Sequence, residues 1–126
     1  MIRTFYRAAN DDIITDCGSF AETRETAELY RSNSGFGGAK LYRAECEIAE
    51  ATLLDLVDCI DAIALICERT GLEAPGAIGV DEWVPRISYA LREAGIAWVR
   101  VRESFPADTI TWIYVGADAP EMEELT

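Results

Sequence analysis

The 126-residue chain carries 23 acidic against 11 basic residues and no histidine, for a formal net charge of −12. Charge of that sign disfavours direct nucleic-acid binding, because phosphate contacts require a basic footprint. Without histidine, Ser-His and Cys-His nucleophilic systems are excluded.

Half of the residues are hydrophobic, well above the composition of a disordered acidic chain. The length suits one domain with a single core. No run of 18 apolar residues is present, so no membrane contact is expected. Met1-Ile2-Arg3-Thr4 opens no secretory h-region, so a soluble cytoplasmic protein is the expectation. Cys17, Cys46, Cys59 and Cys67 show no CxxC spacing, which points to buried reduced thiols and no metal site.

In chain order, Met1 to Ala8 predicts a strand, with Ile2, Thr4, Tyr6 and Ala8 alternating against Arg3, Phe5 and Arg7. A polar loop at Asn10-Asp11-Asp12 and an unassigned Ile13-Ile14 pair follow. Cys17-Gly18 marks a turn. Ser19-Phe20-Ala21-Glu22 fits a capping box, and Thr23 is an equal candidate cap, for a helix over Arg24 to Arg31. Ser32 to Gly38 reads as a flexible loop, since its glycines lack the Lys-Ser/Thr of a P-loop. Lys40 to Ile48 predicts a strand, with Tyr42, Ala44, Cys46 and Ile48 on its apolar face.

Thr52 to Arg69 predicts one long helix, opened by Thr52-Leu53-Leu54-Asp55 as a second capping box and closed by Gly71. Leu53, Leu56, Val57, Ile60, Ile63, Ala64 and Cys67 would share its apolar arc at the 3.6 period. Asp81 is the expected cap of a helix through Ala94, with Pro85 in its first turn and Gly95 ending it. Ile96 to Arg102 and Thr109 to Gly116 predict an antiparallel hairpin, followed after Ala117 by an acidic tail over residues 118–126 expected to fray. The expectation is a single α+β domain over residues 1–117, with a mainly antiparallel sheet and about three helices.

The charge is uneven. Residues 1–43 are balanced and residues 83–117 carry +1, whereas residues 44–82 hold ten acids against Arg69, and the tail adds four acids. Glu45, Glu47, Glu50, Asp55, Asp58, Asp61 and Glu68 would form an acidic ridge along the long helix and its approach. Solvated faces usually mix signs, with a base four residues from an acid. Same-sign crowding costs self-repulsion, which makes the ridge a candidate partner-binding surface.

Phe5-Tyr6-Arg7-Ala8, then Ser19 through Tyr30, then Lys40-Leu41-Tyr42-Arg43-Ala44-Glu45 resemble the N-terminal half of small ADP-ribosyltransferase-like domains. Leu91 to Ile96 with the closing hairpin resembles the C-terminal half. The resemblance implies that fold, with NAD as cofactor: Arg7 at the phosphates or ribose, Ser19 orienting it and Tyr30 stacking on nicotinamide. The strand matching the family's catalytic glutamate strand, Thr109 to Val115, has no acid, so Asp108 or Glu103 just before it would have to serve.

Two function classes follow. The first is an acidic interaction protein without cofactor. It would bind the basic surface of a nucleic-acid-handling complex and inhibit it, and it resembles in composition phage-encoded anti-CRISPR and DNA-mimic inhibitors. The alternative is an NAD-dependent mono-ADP-ribosyltransferase acting on a protein. The two combine in a transferase-like scaffold that works through its charge.

Overall fold

The computed structural model describes residues 1–10, 17–33, 40–103 and 109–125. The Ile13-Ile14 pair, the glycines at 35–38 and Asp108 lie outside the described residues. Among the described residues the fold is α+β: four helices and one seven-stranded, mostly antiparallel sheet. The strands are β1 (Ile2–Ala9), β2 (Gly18–Ala21), β3 (Lys40–Glu47), β4 (Leu53–Asp55), β5 (Trp98–Arg102), β6 (Ile110–Tyr114) and β7 (Glu123–Leu125), in the order β4-β5-β6-β2-β1-β3-β7. The helices are α1 (Arg24–Asn33), α2 (Ala62–Thr70), α3 (Val80–Arg86) and α4 (Ser88–Glu93).

The sheet bends at its middle. β1 pairs with β3 over eight residues but meets β2 through Tyr6 and Ala21 alone. Phe5 on β1 and Trp98 on β5 are three strands apart, roughly 14 Å across a flat sheet at the usual strand spacing. Their ring centroids are 5.0 Å apart. The two halves, β4-β5-β6-β2 and β1-β3-β7, therefore fold over a shared aromatic core of Phe5, Phe20, Trp98 and Trp112, joined by Ala44 and Ile48. The bend also explains how the few residues after β3 reach β4 at the opposite edge of the strand order.

The opposite face of β5 and β6 carries Val99, Val101 and Ile113, with Val115 just beyond β6, covered by Ile66 of α2, Val84 of α3 and Leu91 of α4. α1 lies on the other half, where Ala27 packs on Ala21 and Leu41. That covering helix explains why Leu41 is buried as well as its neighbour Tyr42 on the opposite face of β3.

The predicted long helix is the main correction. Glu50–Thr52 form a single 3-10 turn, and Leu53–Asp55 form β4, an edge strand parallel to β5. Leu54 and Leu56 are both buried, a period of two and not 3.6. Asp55 ends the strand: its carboxylate accepts the Val57 N–H at 3.1 Å, a side-chain turn that competes with helix. Thr52 opens no helix, because its hydroxyl donates to the Ala49 carbonyl at 2.7 Å. Asp61 is the actual cap of α2, accepting from the Ala64 N–H at 3.0 Å. Ile60, expected in the core arc, is 105% exposed. Gly71 closes α2 as expected, in the left-handed region at φ 77° with its N–H on the Cys67 carbonyl.

Other departures have local causes. Ser19–Ala21 is strand β2, so the cap of α1 is the alternative candidate, Thr23, which accepts from the Thr26 N–H at 3.2 Å. Gly79, not Asp81, caps α3. Pro85 sits beyond the first turn of α3, where its missing N–H and its ring end the helix. The expected single helix is thus split at Ile87 into α3 and α4. The acidic tail does not fray as a whole, since Glu123–Leu125 pair with Leu41, Tyr42 and Arg43 of β3.

Candidate functional site

With the long helix gone, the acidic residues do not form one ridge. Glu45 and Glu47 lie on β3, Glu50 in the 3-10 turn and Asp55 on β4; Asp58 follows in a turn, Asp61 caps α2 and Glu68 lies on its body. All seven are exposed. Several hold structure: Asp55 pairs with Arg100 at 3.2 Å, Glu45 with Arg43 at 3.4 Å and Glu47 with the N-terminal amine at 2.8 Å. The Glu45 and Glu47 pairs are exposed and contribute roughly 0–1 kcal/mol each.

The fold replaces the ridge with a cleft. Where the C-terminal segment crosses the end of the bent sheet, Glu45 and Glu47 come together with Asp118 and Glu121 around a cavity of about 210 Å³. Trp98 and Tyr114 line it with Cys46. Burial, and then the neighbouring Glu45, push the Cys46 thiol up. Burial also raises the Tyr114 phenol, which lies against the Asp118 backbone. All four cysteines are free and half-buried. The tail acids of the cleft were legible only as composition; the passage of residues 118–121 beside β3 is tertiary.

The residues of the resemblance fall into two groups. Arg7 Nη1 donates to the Ser19 carbonyl at 2.9 Å, bridging β1 and β2 near the bend, and its guanidinium lies 5.8 Å from the Phe20 ring centre. Arg7 therefore extends along the aromatic face. Tyr30 of α1 lies on the other face with Thr111, which alternates with Trp112 along β6. The Glu103 carboxyl lies on this face, near Asp81. Burial, then the neighbouring Asp81, push Glu103 up to about 7, and burial raises the Tyr30 phenol. The structure thus joins Arg7 to Ser19 and leaves Tyr30 and Glu103 on the opposite side of the sheet.

A third constellation was not anticipated. Glu22, between β2 and α1, accepts from Trp112 Nε1 at 2.8 Å and from Arg100 Nε at 3.2 Å, while Arg100 Nη1 reaches Asp55. Burial works against the Arg100 charge, but Glu22 and Asp55 outweigh it and hold the guanidinium more firmly protonated. This network joins β2, β4, β5 and β6 and is structural.

Among the described residues no cluster of His, Cys, Asp or Glu could hold a metal ion, and no helix is long and apolar enough to cross a membrane. Compared with known proteins, the chain matches no family model and no curated sequence.

Proposed function

We propose that the chain is an acidic interaction protein that occupies a basic, nucleic-acid-binding surface of a partner complex, in the manner of DNA-mimic and anti-CRISPR inhibitors. One observation carries the reading. Eight acids from Glu45 to Glu73 and four from Asp118 to Glu124 are exposed, with Arg69 the one base in those segments. The cleft draws acids from both segments to one place and sets them over aromatic walls. A lysine or arginine of the partner would meet carboxylates at the rim and the rings of Trp98 and Tyr114 within.

The test is displacement of a labelled duplex or guide RNA from a panel of RNA-guided and duplex-binding nucleases, at 50 and 200 mM salt. Charge-dominated binding weakens steeply over that range. Reversal of Asp118 and Glu121 to lysine tests the cleft, and reversal of Asp58 and Glu68 tests the remaining surface. Asp55 and Asp61 are poor choices because they end β4 and cap α2. Displacement that survives both reversals, or that is indifferent to salt, defeats the reading.

A second reading, NAD-dependent mono-ADP-ribosyl transfer to a protein, is favoured by the Arg7–Ser19 junction at the bend. Arg7 would anchor NAD phosphates, whereas Glu103, on the opposite side of the sheet, is not placed to act on the same NAD. The test of this second reading is label transfer from NAD to lysate proteins, abolished by Arg7→Ala. Absence of both transfer and an NAD-dependent rise in Tm removes it.

A further inference from the structure

Resting on the reading of the chain as an acidic interaction protein, we propose that the outer edge of β3 at Glu45 and Glu47 docks an extended basic segment of the partner. That segment adds a strand to the sheet. The Ile48 N–H donates to the Met1 carbonyl at 2.7 Å, and the Met1 amine donates to the Ile48 carbonyl at 3.3 Å. In an antiparallel pair such two-way exchange recurs at every second residue. With the β1–β3 register, Cys46, Ala44, Tyr42 and Lys40 therefore turn their backbone groups toward β1. Glu47, Glu45, Arg43 and Leu41 turn theirs to the other edge.

β7 covers only part of that edge, pairing with Leu41, Tyr42 and Arg43. Continued backwards in the same register, Glu121 would stand opposite Glu45. Met122 instead packs onto the aromatic core, and Asp118, Pro120 and Glu121 line the cleft. Among the described residues, no backbone group bonds the outward N–H and C=O of Glu45 and Glu47. Both residues are exposed. An open edge of this kind is a template for a further strand.

The side chains along the edge select which strand. A segment laid antiparallel to β3, in line with β7, sets two of its residues opposite Glu47 and Glu45 and the one between them opposite Cys46. The first two share the glutamates' face of the sheet, so lysine or arginine there meets a carboxylate at each position. The residue between them points with Cys46 into the cleft, toward Trp98 and Tyr114, and takes an apolar side chain. Glu45 and Glu47 already hold Arg43 and the N-terminal amine, but these pairs are exposed and exchange readily in water. A second copy of this chain is a poor occupant, because pairing edge to edge at these residues sets glutamate against glutamate.

The test is NMR titration of the full isotope-labelled chain with a capped heptapeptide of alternating lysine and valine. The control is the same peptide N-methylated at its lysines, which keeps the charge and removes the donors that face β3. The unmethylated peptide should shift the Glu45 and Glu47 amides and slow their hydrogen exchange, and N-methylation should weaken binding about tenfold or more. Glu45→Pro keeps the pairing with β1, since the Glu45 N–H faces outward, and should weaken peptide binding further than Glu45→Gln, which removes the charge alone. If Glu45→Pro does not fold, the two peptides on the unaltered chain decide. Equal binding of both peptides, or shifts confined to residues away from β3, overturns the added strand; salt-sensitive binding in that case still supports the acidic surface. Failure of both peptides to bind at millimolar concentration also overturns the added strand, while nuclease displacement judges the acidic surface separately.

Discussion

Replacing Glu22 with alanine removes the carboxylate on which Trp112 and Arg100 converge, and the structure sets the size of the effect. The Trp112 ring is 1% exposed and its N–H donates to Glu22 Oε1 at 2.8 Å. An indole N–H left buried without an acceptor costs about 1–3 kcal/mol. Arg100, with 18% of its side chain exposed, loses one of its two carboxylates. After allowing for solvent at Glu22, that adds about 1 kcal/mol. The sum is about 2–4 kcal/mol, and for a chain of this length it lowers Tm by roughly 8–15 °C. Glu22→Gln keeps an oxygen for Trp112 and loses only the charge, so it should cost about 1 kcal/mol. Urea and thermal unfolding of the two variants measure this directly. A cost below about 0.5 kcal/mol for Glu22→Ala, or equal costs for both variants, would refute the claim that the network holds the sheet.

Three further substitutions separate the observed fold from the one the sequence pattern suggested. Ile60→Ser should change stability by less than about 0.5 kcal/mol, because the side chain is fully exposed; a cost near 2 kcal/mol would mean that a long helix buries it. Asp61→Ala should cost about 1 kcal/mol and show as lost circular dichroism from α2, since its carboxylate caps that helix; an unchanged spectrum and stability would remove it as the cap. Trp98→Ala should cost about 3–5 kcal/mol, because its ring touches Phe5, Phe20, Trp112 and Tyr114 across both halves of the sheet; a loss under 1 kcal/mol would show that the halves do not share one core.

Legibility followed the range of the interactions. The strands at Lys40 to Ile48 and in the closing hairpin are legible because a half-buried strand stamps a period of two on its own residues. Gly71 ended its helix because a left-handed C-terminus favours glycine. Leu53 to Ile60 misled because a short edge strand and the turn after it placed apolar residues at spacings that also suit a helix. The Asp61 cap and the Leu54–Leu56 alternation were the local signals for the correct reading. The helix break at Pro85 was legible too, once Pro85 is placed after the first turn.

Composition and local pattern alone determined the acidic character of the chain, the absence of histidine chemistry and the α+β class, since these depend on residue types and short periods. Only the tertiary structure decided where the acids act. β1 meets β2 at a single residue pair, the sheet bends there, and the bend brings the C-terminal acids to Glu45 and Glu47. The same packing brings Glu103 near Asp81, 22 residues away in the chain. Desolvation and cross-strand register depend on which distant residues close around a group, and no local pattern encodes that.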